Sequence, residues 1–453
     1  MMKSINPATG HEINYYQEHT EAEISDAINN SYQAYQSWRE NDLDQRAQAL
    51  MRVADMLEKN CFDYANLMST EMGKPIVQAR AEVNKSAWVC RYYAEHATHF
   101  LQDESIKTDY QESYITYNPL GPILGIMPWN FPFWQVLRFA APTLMAGNTI
   151  ILKHASNVSG CALAIEELFR NCLPMENCFQ SLLIHHNKIP LLISHPKVRA
   201  VSLTGSTNAG KKVAALAGAH LKKCVLELGG NDPYIILPDA DIEKAVKACA
   251  QSRLLNNGQS CIAAKRFIVH KDVLDEFTSS LKDNFTQVLM GNPHEEKNTL
   301  GPLARIDLRD ELDDQVQRSL KAGAKCILGG KPLKGNGAFY PPTILVDVSE
   351  DMPAFNEELF GPVASIIVAK DTNHAIELAN NSQYGLGAAI FSKDIKKAQH
   401  MASKQIESGA CFINDFVKSD PRLPFGGIKD SGYGRELGVN GIREFTNIKT
   451  VCL

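Results

Sequence analysis

Three residues of this chain have types and settings that suit acyl chemistry through a thioester. Cys261 follows the polar turn Asn257-Gly258-Gln259-Ser260, where a thiol can act as a nucleophile. Glu227 lies 34 residues earlier, directly before Leu228-Gly229-Gly230, and can serve as a general base. Asn130 lies between two prolines in Pro128-Trp129-Asn130-Phe131-Pro132, which fix the backbone so that its amide can donate to an oxyanion.

Each of the three residues also has an ordinary structural interpretation. Cys261 could be a buried core cysteine, Glu227 a half-buried and satisfied glutamate, and Asn130 part of a loop turn. The polar residues before Cys261 and the small Ala263-Ala264 after it favour function, because they leave room for a ligand. The double glycine after Glu227 lets the backbone turn sharply, which has the same consequence.

Two further segments suit a phosphate or a ribose. Gly205 to Lys211 matches the first seven positions of a P-loop, but Lys212 stands where Ser or Thr must hold magnesium, so an NTPase is excluded. The segment also lacks a Gly-x-Gly-x-x-Gly fingerprint. A small polar turn at a helix amino terminus remains, whose backbone N–H groups can hold a pyrophosphate. Lys153 follows the apolar run 150–152 and is either a surface lysine or a contact to a ribose or phosphate.

The elements that position these residues read as alternating strands and helices. The first hundred residues are largely helical, beginning with a capping box at Thr20 and Glu23, and 112–117 alternates like an exposed arm. Two series of short apolar strands with intervening helices then predict parallel sheets covered on both faces. Strands are expected near 123–127, 149–152, 198–203 and 224–228, and then near 234, 267–269, 364–368 and 387–391. The boundary between the series is predicted just after Gly229-Gly230.

Composition narrows the class of protein. A chain of 453 residues predicts two or three domains, and the net charge of -5 argues against a nucleic-acid partner. No apolar run approaches the roughly 18 residues of a membrane helix, and the amino terminus lacks an export signal. The eleven cysteines form no Cys-x-x-Cys pair, so we expect reduced thiols in a cytoplasmic enzyme without a metal site.

Six motifs in order and register resemble the aldehyde dehydrogenase superfamily over nearly the whole chain. They are Pro128-Trp129-Asn130-Phe131-Pro132, Thr204-Gly205-Ser206, Glu227-Leu228-Gly229-Gly230, Gly258-Gln259-Ser260-Cys261, Glu357-Glu358-Leu359-Phe360-Gly361-Pro362 and Pro424-Phe425-Gly426-Gly427-Ile428-Lys429. The resemblance implies an α/β fold with an atypical Rossmann coenzyme domain, a catalytic α/β domain and a β oligomerisation arm. The implied ranges are 1–102 with 120–229, 230–428, and 103–119 with 436–453.

The resemblance also implies a role for each candidate residue. Cys261 would be the nucleophile, Asn130 with the Cys261 N–H the oxyanion hole, and Glu227 the base for deacylation. The NAD or NADP site would comprise Glu358 and Phe360 at the nicotinamide ribose, Lys153 and Ser156 at the adenine ribose, Ser206 at the pyrophosphate, and Trp129 in the pocket wall. The expected assembly is a homodimer or homotetramer, with a small aldehyde as the only other partner.

Ser156 bears on the choice of coenzyme. It stands three residues after Lys153, where the family often carries a glutamate that binds the ribose. A carboxylate there would repel a 2′-phosphate, whereas serine and lysine could accept one, so we expect NADP to be used as well as NAD. His154 replaces the usual proline between them, which leaves the local backbone open.

Arg138 bears on the substrate. It lies eight residues after Asn130, where semialdehyde-oxidising members carry an arginine for the substrate carboxylate, although an ordinary salt bridge is an alternative. With the run 261–266 and the short amino terminus, it makes the chain most similar to short bacterial succinate-semialdehyde dehydrogenases. A second arginine of some relatives is Leu255 here, with Arg253 and Arg422 as candidate substitutes.

Three other classes of protein share some of these features. Within the family, the alternative is a broad oxidiser of neutral or aromatic aldehydes, including lactaldehyde-like ones. An acyl-transfer enzyme would use the same thioester, but the presence of Glu227 favours hydrolysis. A non-catalytic relative has no need of Cys261, Glu227, Asn130 and Glu358 together.

Overall fold

The computed structural model describes residues 2–453 of the chain. The α-helices are α1 (Glu21–Trp38), α2 (Leu43–Lys59), α3 (Cys61–Met72), α4 (Ile76–Leu101), α5 (Trp134–Met145), α6 (Ser159–Cys172), α7 (Ile189–Ser194), α8 (Thr207–Ala219), α9 (Ile242–Leu254), α10 (Leu274–Thr286), α11 (Ile306–Lys321), α12 (Pro353–Asn356), α13 (Thr372–Asn380), α14 (Ile395–Lys404) and α15 (Gly438–Glu444). The strands are β1 (Met2–Ile5), β2 (Glu12–Tyr16), β3 (Glu104–Ser105), β4 (Ser113–Pro119), β5 (Pro122–Met127), β6 (Thr149–His154), β7 (Phe179–Ser181), β8 (Ala200–Thr204), β9 (Lys223–Glu227), β10 (Pro233–Ile236), β11 (Arg266–His270), β12 (Lys325–Leu328), β13 (Thr343–Val346), β14 (Val363–Ala369), β15 (Tyr384–Gly385), β16 (Gly387–Phe391), β17 (Ala410–Ile413), β18 (Ile428–Lys429), β19 (Gly432–Tyr433) and β20 (Thr446–Cys452).

Two mainly parallel sheets form the body of the molecule. The first has the order β19-β9-β8-β5-β6-β7, and the second has the order β12-β13-β14-β11-β10-β16-β17. Each sheet carries one antiparallel strand at an edge, β19 in the first and β12 in the second. The predicted α/β architecture, the predicted strand positions and the capping box at Thr20 are confirmed.

The strands read as continuous apolar runs because both of their faces are buried. In β6, Ile150 and Leu152 pack against the core that includes α2 to α5, whereas Ile151 packs on the opposite face with Ile24 and Ile28 of α1. Successive side chains of a strand point to opposite faces of the sheet, so one apolar run contributes residues to two different cores. The second sheet likewise separates two buried clusters.

The predicted arm is a separate three-stranded sheet with the order β20-β4-β3. β20 pairs antiparallel with β4 from Thr446 opposite Pro119 to Cys452 opposite Ser113. The sequence pattern did not identify the amino-terminal hairpin of β1 and β2. The domain ranges given above stay a prediction. Within residues 2–453, no helix has both the length and the apolar character needed to cross a membrane.

Candidate active site

Cys261 lies where two cavities meet, beyond the carboxyl ends of β5 and β8 in the first sheet and before the amino end of β11 in the second. The α11 cleft, named for the helix on one of its sides, is lined by Trp129, Asn130, Gly205, Ser206, Glu358 and Phe360 as well as Cys261. The aromatic cavity opens on the other side of Cys261 and is lined by Lys85, Phe131, Trp134, Arg138, Phe416, Ser419 and Phe425 among others. One thiol can thus reach ligands that enter from opposite sides.

The loop before Cys261 has an unusual backbone. Asn256 and Asn257 have φ of 55° and 58°, and Gly258 follows with φ of 75°, so three consecutive residues are left-handed. Asparagine tolerates this region better than most residues, and glycine adopts it at no steric cost. The left-handed stretch changes the direction of the chain after α9, and Cys261, which follows it, lines both cavities.

Side-chain hydrogen bonds hold this left-handed stretch in place. Asn257 Nδ2 donates to the carbonyls of Gly73 (3.0 Å) and Pro302 (2.8 Å), and its Oδ1 accepts from the Gly301 N–H at 2.7 Å. Asn256 Nδ2 donates to the Asn130 carbonyl at 2.6 Å. Buried polar groups with all these partners specify one loop conformation.

Gly258 is also required for a close backbone contact. A Cβ at this position would lie 2.3 Å from the carbonyl carbon of Gly361. Gly361 belongs to the same motif as Glu358 and Phe360, which line the α11 cleft. The loop of the thiol therefore packs directly, backbone to backbone, against the segment that shapes this cleft.

A buried ion pair supports the Asn130 loop. Lys74 pairs with Glu82 of α4 and donates to the Asn130 carbonyl at 2.9 Å. Glu82 Oε1 accepts from the N–H groups of Phe133 and Trp134, at 2.9 and 3.0 Å. The Asn130 amide donates to the Gln259 carbonyl at 3.1 Å, and its second hydrogen is available to a ligand.

His154 holds the same loop from strand β6. Its Nδ1 accepts from the Ala155 N–H (2.9 Å), so Nε2 carries the proton and donates to the Pro132 carbonyl at 3.0 Å. Burial lowers the pKa of His154 to about 4, which keeps the ring neutral at physiological pH. The histidine thus takes a defined structural role at the position where the family usually has proline.

The Cys261 thiol is not ionised at rest. Burial raises its pKa to about 12, while the nearby cations Lys265 and Arg138 act in the opposite direction. Lys265 Nζ donates to the carbonyls of Ser260 (3.0 Å) and Cys261 (2.7 Å), and so fixes this turn. The backbone N–H of Cys261 donates to no acceptor among residues 2–453 and is free for an oxyanion.

Glu227 ends β9 and is buried behind Cys261. Neither of its carboxylate oxygens has a hydrogen-bond partner among the described residues, and Glu227 lines neither cavity. Burial, and then the nearby Glu436, raise its pKa well above the usual value for glutamate. A Cβ on Gly426 would lie 2.8 Å from Glu227 Oε1, so this glycine leaves space for the carboxylate.

Arg138, eight residues after Asn130 in the sequence, lies in the wall of the aromatic cavity. It forms a buried ion pair with Glu436, and its guanidinium carbon lies 4.8 Å from the centroid of the Phe425 ring. Nε and Nη2 of Arg138 are buried without a hydrogen-bond partner of adequate geometry among the described residues. Arg138 is therefore charge-compensated but not fully hydrogen-bonded.

Neither Arg253 nor Arg422 lies where it could supply a second arginine for the substrate carboxylate, so this prediction is wrong. Arg253 is buried under the loop that carries Cys261 and donates to the Gly258 carbonyl at 2.5 Å. Arg422 is 66% exposed and pairs with Asp420 at 2.6 Å. Neither of them lines the aromatic cavity, because each is already committed to the local loop structure. Lys85, which the sequence pattern did not single out, lines that cavity instead.

The α11 cleft has features that suit a dinucleotide. Ser206 is the N-cap of α8, and Gly205 exposes the backbone there, since an added Cβ would meet only a Leu203 side chain at 3.7 Å. The rings of Trp129 and Phe360 meet edge to face at 5.7 Å. Glu358 Oε1 accepts from the Gly230 N–H at 3.0 Å, which fixes the carboxylate at the cleft wall.

Lys153 and Ser156 lie beside this cleft rather than in its lining. Lys153 is near the end of β6, which pairs in parallel with β5, so its backbone is at the same sheet edge as the Asn130 loop. Burial lowers the pKa of Lys153, and its ammonium has no hydrogen-bond or ion-pair partner in residues 2–453. A half-buried cation without a partner fits a nucleotide ribose or phosphate. Within the same range, no cluster of His, Cys, Asp and Glu could hold a metal ion.

Comparison with known proteins gives matches along the whole chain. The sequence model of the aldehyde dehydrogenase family matches residues 1–451. The chain is 47% identical over 448 residues to the NAD(P)+ succinate semialdehyde dehydrogenase Sad of Escherichia coli, covering 99% of this chain and 97% of that protein. It is 48% identical over 450 residues to a probable NADP(+) succinate-semialdehyde dehydrogenase of Synechocystis, covering 99% of both.

A solved structure agrees with these matches. Succinic semialdehyde dehydrogenase from Streptococcus pyogenes, in complex with NADP+, superposes with a TM-score of 0.98 at 37% identity and covers 100% of both chains. The six motifs, the two parallel sheets and these full-length similarities lead to one assignment. This chain belongs to the aldehyde dehydrogenase family.

Proposed function

We propose that this protein oxidises succinate semialdehyde to succinate with NADP or NAD. The observation that carries the proposal is the shared cavity of Cys261 and Arg138, in which a thiol and a cation line the same space. An aldehyde at the thiol and a carboxylate at the cation are the two ends of a semialdehyde. The similar proteins from Escherichia coli and Synechocystis carry the name of this activity, which supports the proposal.

In the proposed mechanism, the Cys261 thiol releases its proton to solvent and its sulfur attacks the aldehyde carbon. The oxygen that becomes negative accepts hydrogen bonds from the Asn130 amide and the Cys261 N–H, both of which are held in advance by the loops described above. A hydride then leaves the carbon, and a thioester remains on Cys261. The bound coenzyme supplies the acceptor for that hydride.

Hydrolysis of the thioester is assigned to Glu227. Its carboxylate has no hydrogen-bond partner to break, so the side chain can rotate towards Cys261 and take a proton from the attacking water. A raised pKa makes it a stronger base once it is ionised. Water then adds to the thioester carbon, the acid leaves, and the proton returns to the sulfur.

For the coenzyme, we propose that Ser206 and the first turn of α8 hold the pyrophosphate and that Trp129 packs in the pocket wall. Glu358 and Phe360 would contact the nicotinamide ribose. Lys153 and Ser156 would accept a 2′-phosphate, because no ion pair consumes the lysine charge. The NADP+ named with the Streptococcus pyogenes structure supports this proposal.

We propose further that the protein works in the cytoplasm as a homodimer or homotetramer. The eleven cysteines are free thiols, which suits a reducing compartment. The outer strand β20 exposes Ile448 (62%) beside an unpaired edge, and a second copy could cover it.

The experiment compares succinate semialdehyde with butyraldehyde, a neutral aldehyde of equal carbon count, by reduced-coenzyme formation with NAD and with NADP. We expect a preference for the semialdehyde, and kcat/KM for it should fall about 10–100-fold in Arg138→Leu, which removes charged hydrogen bonds. Cys261→Ala should abolish turnover of both. Strict dependence on NAD would remove the proposed role of Ser156.

One observation favours a second candidate, broad oxidation of neutral or aromatic aldehydes. Glu436 already compensates the charge of Arg138, and aromatic rings form much of the cavity wall. Equal kcat/KM for the two aldehydes, unchanged in Arg138→Leu, would support this alternative and reduce Arg138 to a structural residue.

A further inference from the structure

Lys85 is a cation without an anionic partner in the wall of the aromatic cavity. It projects from the middle of α4, and its Nζ donates to Ser419 Oγ at 2.9 Å and lies 4.3 Å from the centroid of the Trp134 ring. An ammonium can donate three hydrogen bonds, and this is the one that it makes within residues 2–453. No carboxylate in that range forms an ion pair with it.

The acidic groups near Lys85 are already committed elsewhere. Glu82, three residues away on α4, pairs with the buried Lys74. Asp420 pairs with Arg422 through both oxygens, at 2.9 and 2.6 Å. These two carboxylates therefore leave the Lys85 charge largely uncompensated.

The remaining cations of the cavity are balanced. Arg138 is compensated by Glu436, and Lys418 by Asp415 at 2.8 Å. The excess positive charge of the cavity is therefore that of Lys85, not that of Arg138. Arg138, Glu436 and Lys85 together carry one net positive charge, and a carboxylate that enters would neutralise it as the fourth charge of two ion pairs.

We propose that Lys85 is the residue whose charge selects aldehydes that carry a carboxylate, while Arg138 orients that carboxylate. This inference rests on the proposed function and assigns the source of its specificity. The Ser419 hydroxyl accepts from Lys85 and so has its own proton free to donate to the same carboxylate. Leu255, where some relatives have their second arginine, also lines this cavity. The second cation thus comes from α4 instead of from the loop that carries Cys261.

The test uses three variants of the full-length protein. Lys85→Met removes the charge and keeps most of the side-chain length, and Lys85→Arg keeps the charge. Lys222→Met is the matched control, since burial also lowers the pKa of Lys222 to about 8 but its Nζ donates to the His195 carbonyl, away from both cavities. Thermal unfolding of each variant establishes that it is folded.

In Lys85→Met, kcat/KM for succinate semialdehyde should fall about 10–100-fold, mainly through KM, because a charged hydrogen bond is lost. Butyraldehyde should be used as well as before or better, and Lys85→Arg should recover most of the loss. Succinate should also bind less tightly to Lys85→Met, measured by calorimetry. A semialdehyde preference that survives in Lys85→Met would overturn the inference and leave the proposed function standing, whereas no preference in the unaltered enzyme would overturn the proposed function itself.

A pH profile of the unaltered enzyme tests the same inference without a variant. Burial, and then Arg138, lower the pKa of Lys85 to about 8, while Asp420 and Glu82 act in the opposite direction. Lys85 loses its charge as the pH rises through that value, so kcat/KM for the semialdehyde should fall relative to that for butyraldehyde. Parallel profiles for the two aldehydes between pH 7 and 9 would contradict the role of Lys85.

Discussion

The loop that carries Cys261 and the buried pocket of Glu227 are neighbours that differ in hydrogen bonding, although Asn256 Oδ1 in the loop also has no partner among the described residues. In the loop, the amide nitrogens of Asn256 and Asn257 donate to backbone carbonyls, and Gln259 Oε1 accepts from the Ala304 N–H at 2.9 Å. In the pocket, both oxygens of Glu227 are buried without a hydrogen-bond partner among the described residues, and Arg138 Nε and Glu436 Oε2 meet only each other.

This difference corresponds to two demands of the proposed reaction. The sulfur and the oxyanion donors must be held in position, and hydrogen bonds made before substrate binds achieve that. A base must gain and lose a proton and change its orientation, and fixed hydrogen bonds would oppose both. We call the Cys261 loop with its Asn130 and Lys74 supports the rigid half of the site, and the pocket of Glu227 the unsatisfied half. Substitutions in the two halves should affect stability and turnover differently.

The largest effect is expected in the unsatisfied half. Glu227→Gln should slow turnover by about 10²–10⁴-fold, because a positioned base is lost. Reduced coenzyme should form in one burst, and mass spectrometry should then detect enzyme with one acyl group attached. The free energy of unfolding at neutral pH should stay the same or rise, because burial disfavours the ionised form of Glu227 and glutamine cannot ionise.

The matched control for this experiment is Cys261→Ala, which should give neither the burst nor the acyl adduct. Steady turnover without acyl-enzyme in Glu227→Gln would mean that another group activates the water. A large loss of stability would show that the unsatisfied pocket is structural after all.

In the rigid half, Lys74→Met should mainly lower the free energy of unfolding. The Lys74–Glu82 pair is almost completely buried, with side chains 1% and 2% exposed, so removal of one partner leaves an uncompensated charge. We expect a loss of about 3–5 kcal/mol in the free energy of unfolding, measured with urea. The double variant with Glu82→Gln should recover part of it, and additive losses would contradict the pairing.

A smaller effect is expected for Asn256→Ala. The substitution removes the hydrogen bonds to the Asn130 and Gln259 carbonyls and places alanine at a φ of 55°. The expected cost is about 1–3 kcal/mol in the free energy of unfolding. Since the same carbonyls flank the oxyanion donors, kcat should fall more than KM changes. Asn256→Gly, which tolerates the φ, separates the backbone strain from the lost bonds.

Local patterns predicted the scaffold well, because apolar strands and helix caps depend on nearby residues. The strands ending at Met127, Thr204 and Glu227 and the helix after Thr20 were all expected in place. The motifs also located the cleft residues Asn130, Ser206 and Cys261. Their chemical roles stay predictions.

What could not be predicted depends on pairing between distant segments. Lys85 meets Ser419 across 334 residues, and Lys74 meets the Asn130 carbonyl across 56 residues. A lone lysine in a helical pattern gives no sign of whether its partner is a carboxylate, a hydroxyl or water. Arg253 was misjudged for the same reason, because only the fold reveals that it is buried against Gly258.

The contact between Gly258 and Gly361 has a consequence for engineering. These glycines are separated by more than a hundred positions, yet their backbones touch without room for a single methyl group. A loop with any larger residue at position 258 would collide with the Gly361 backbone. Chimaeras with a crossover between the two segments should therefore fold only when the parent that supplies the Cys261 loop has glycine at position 258.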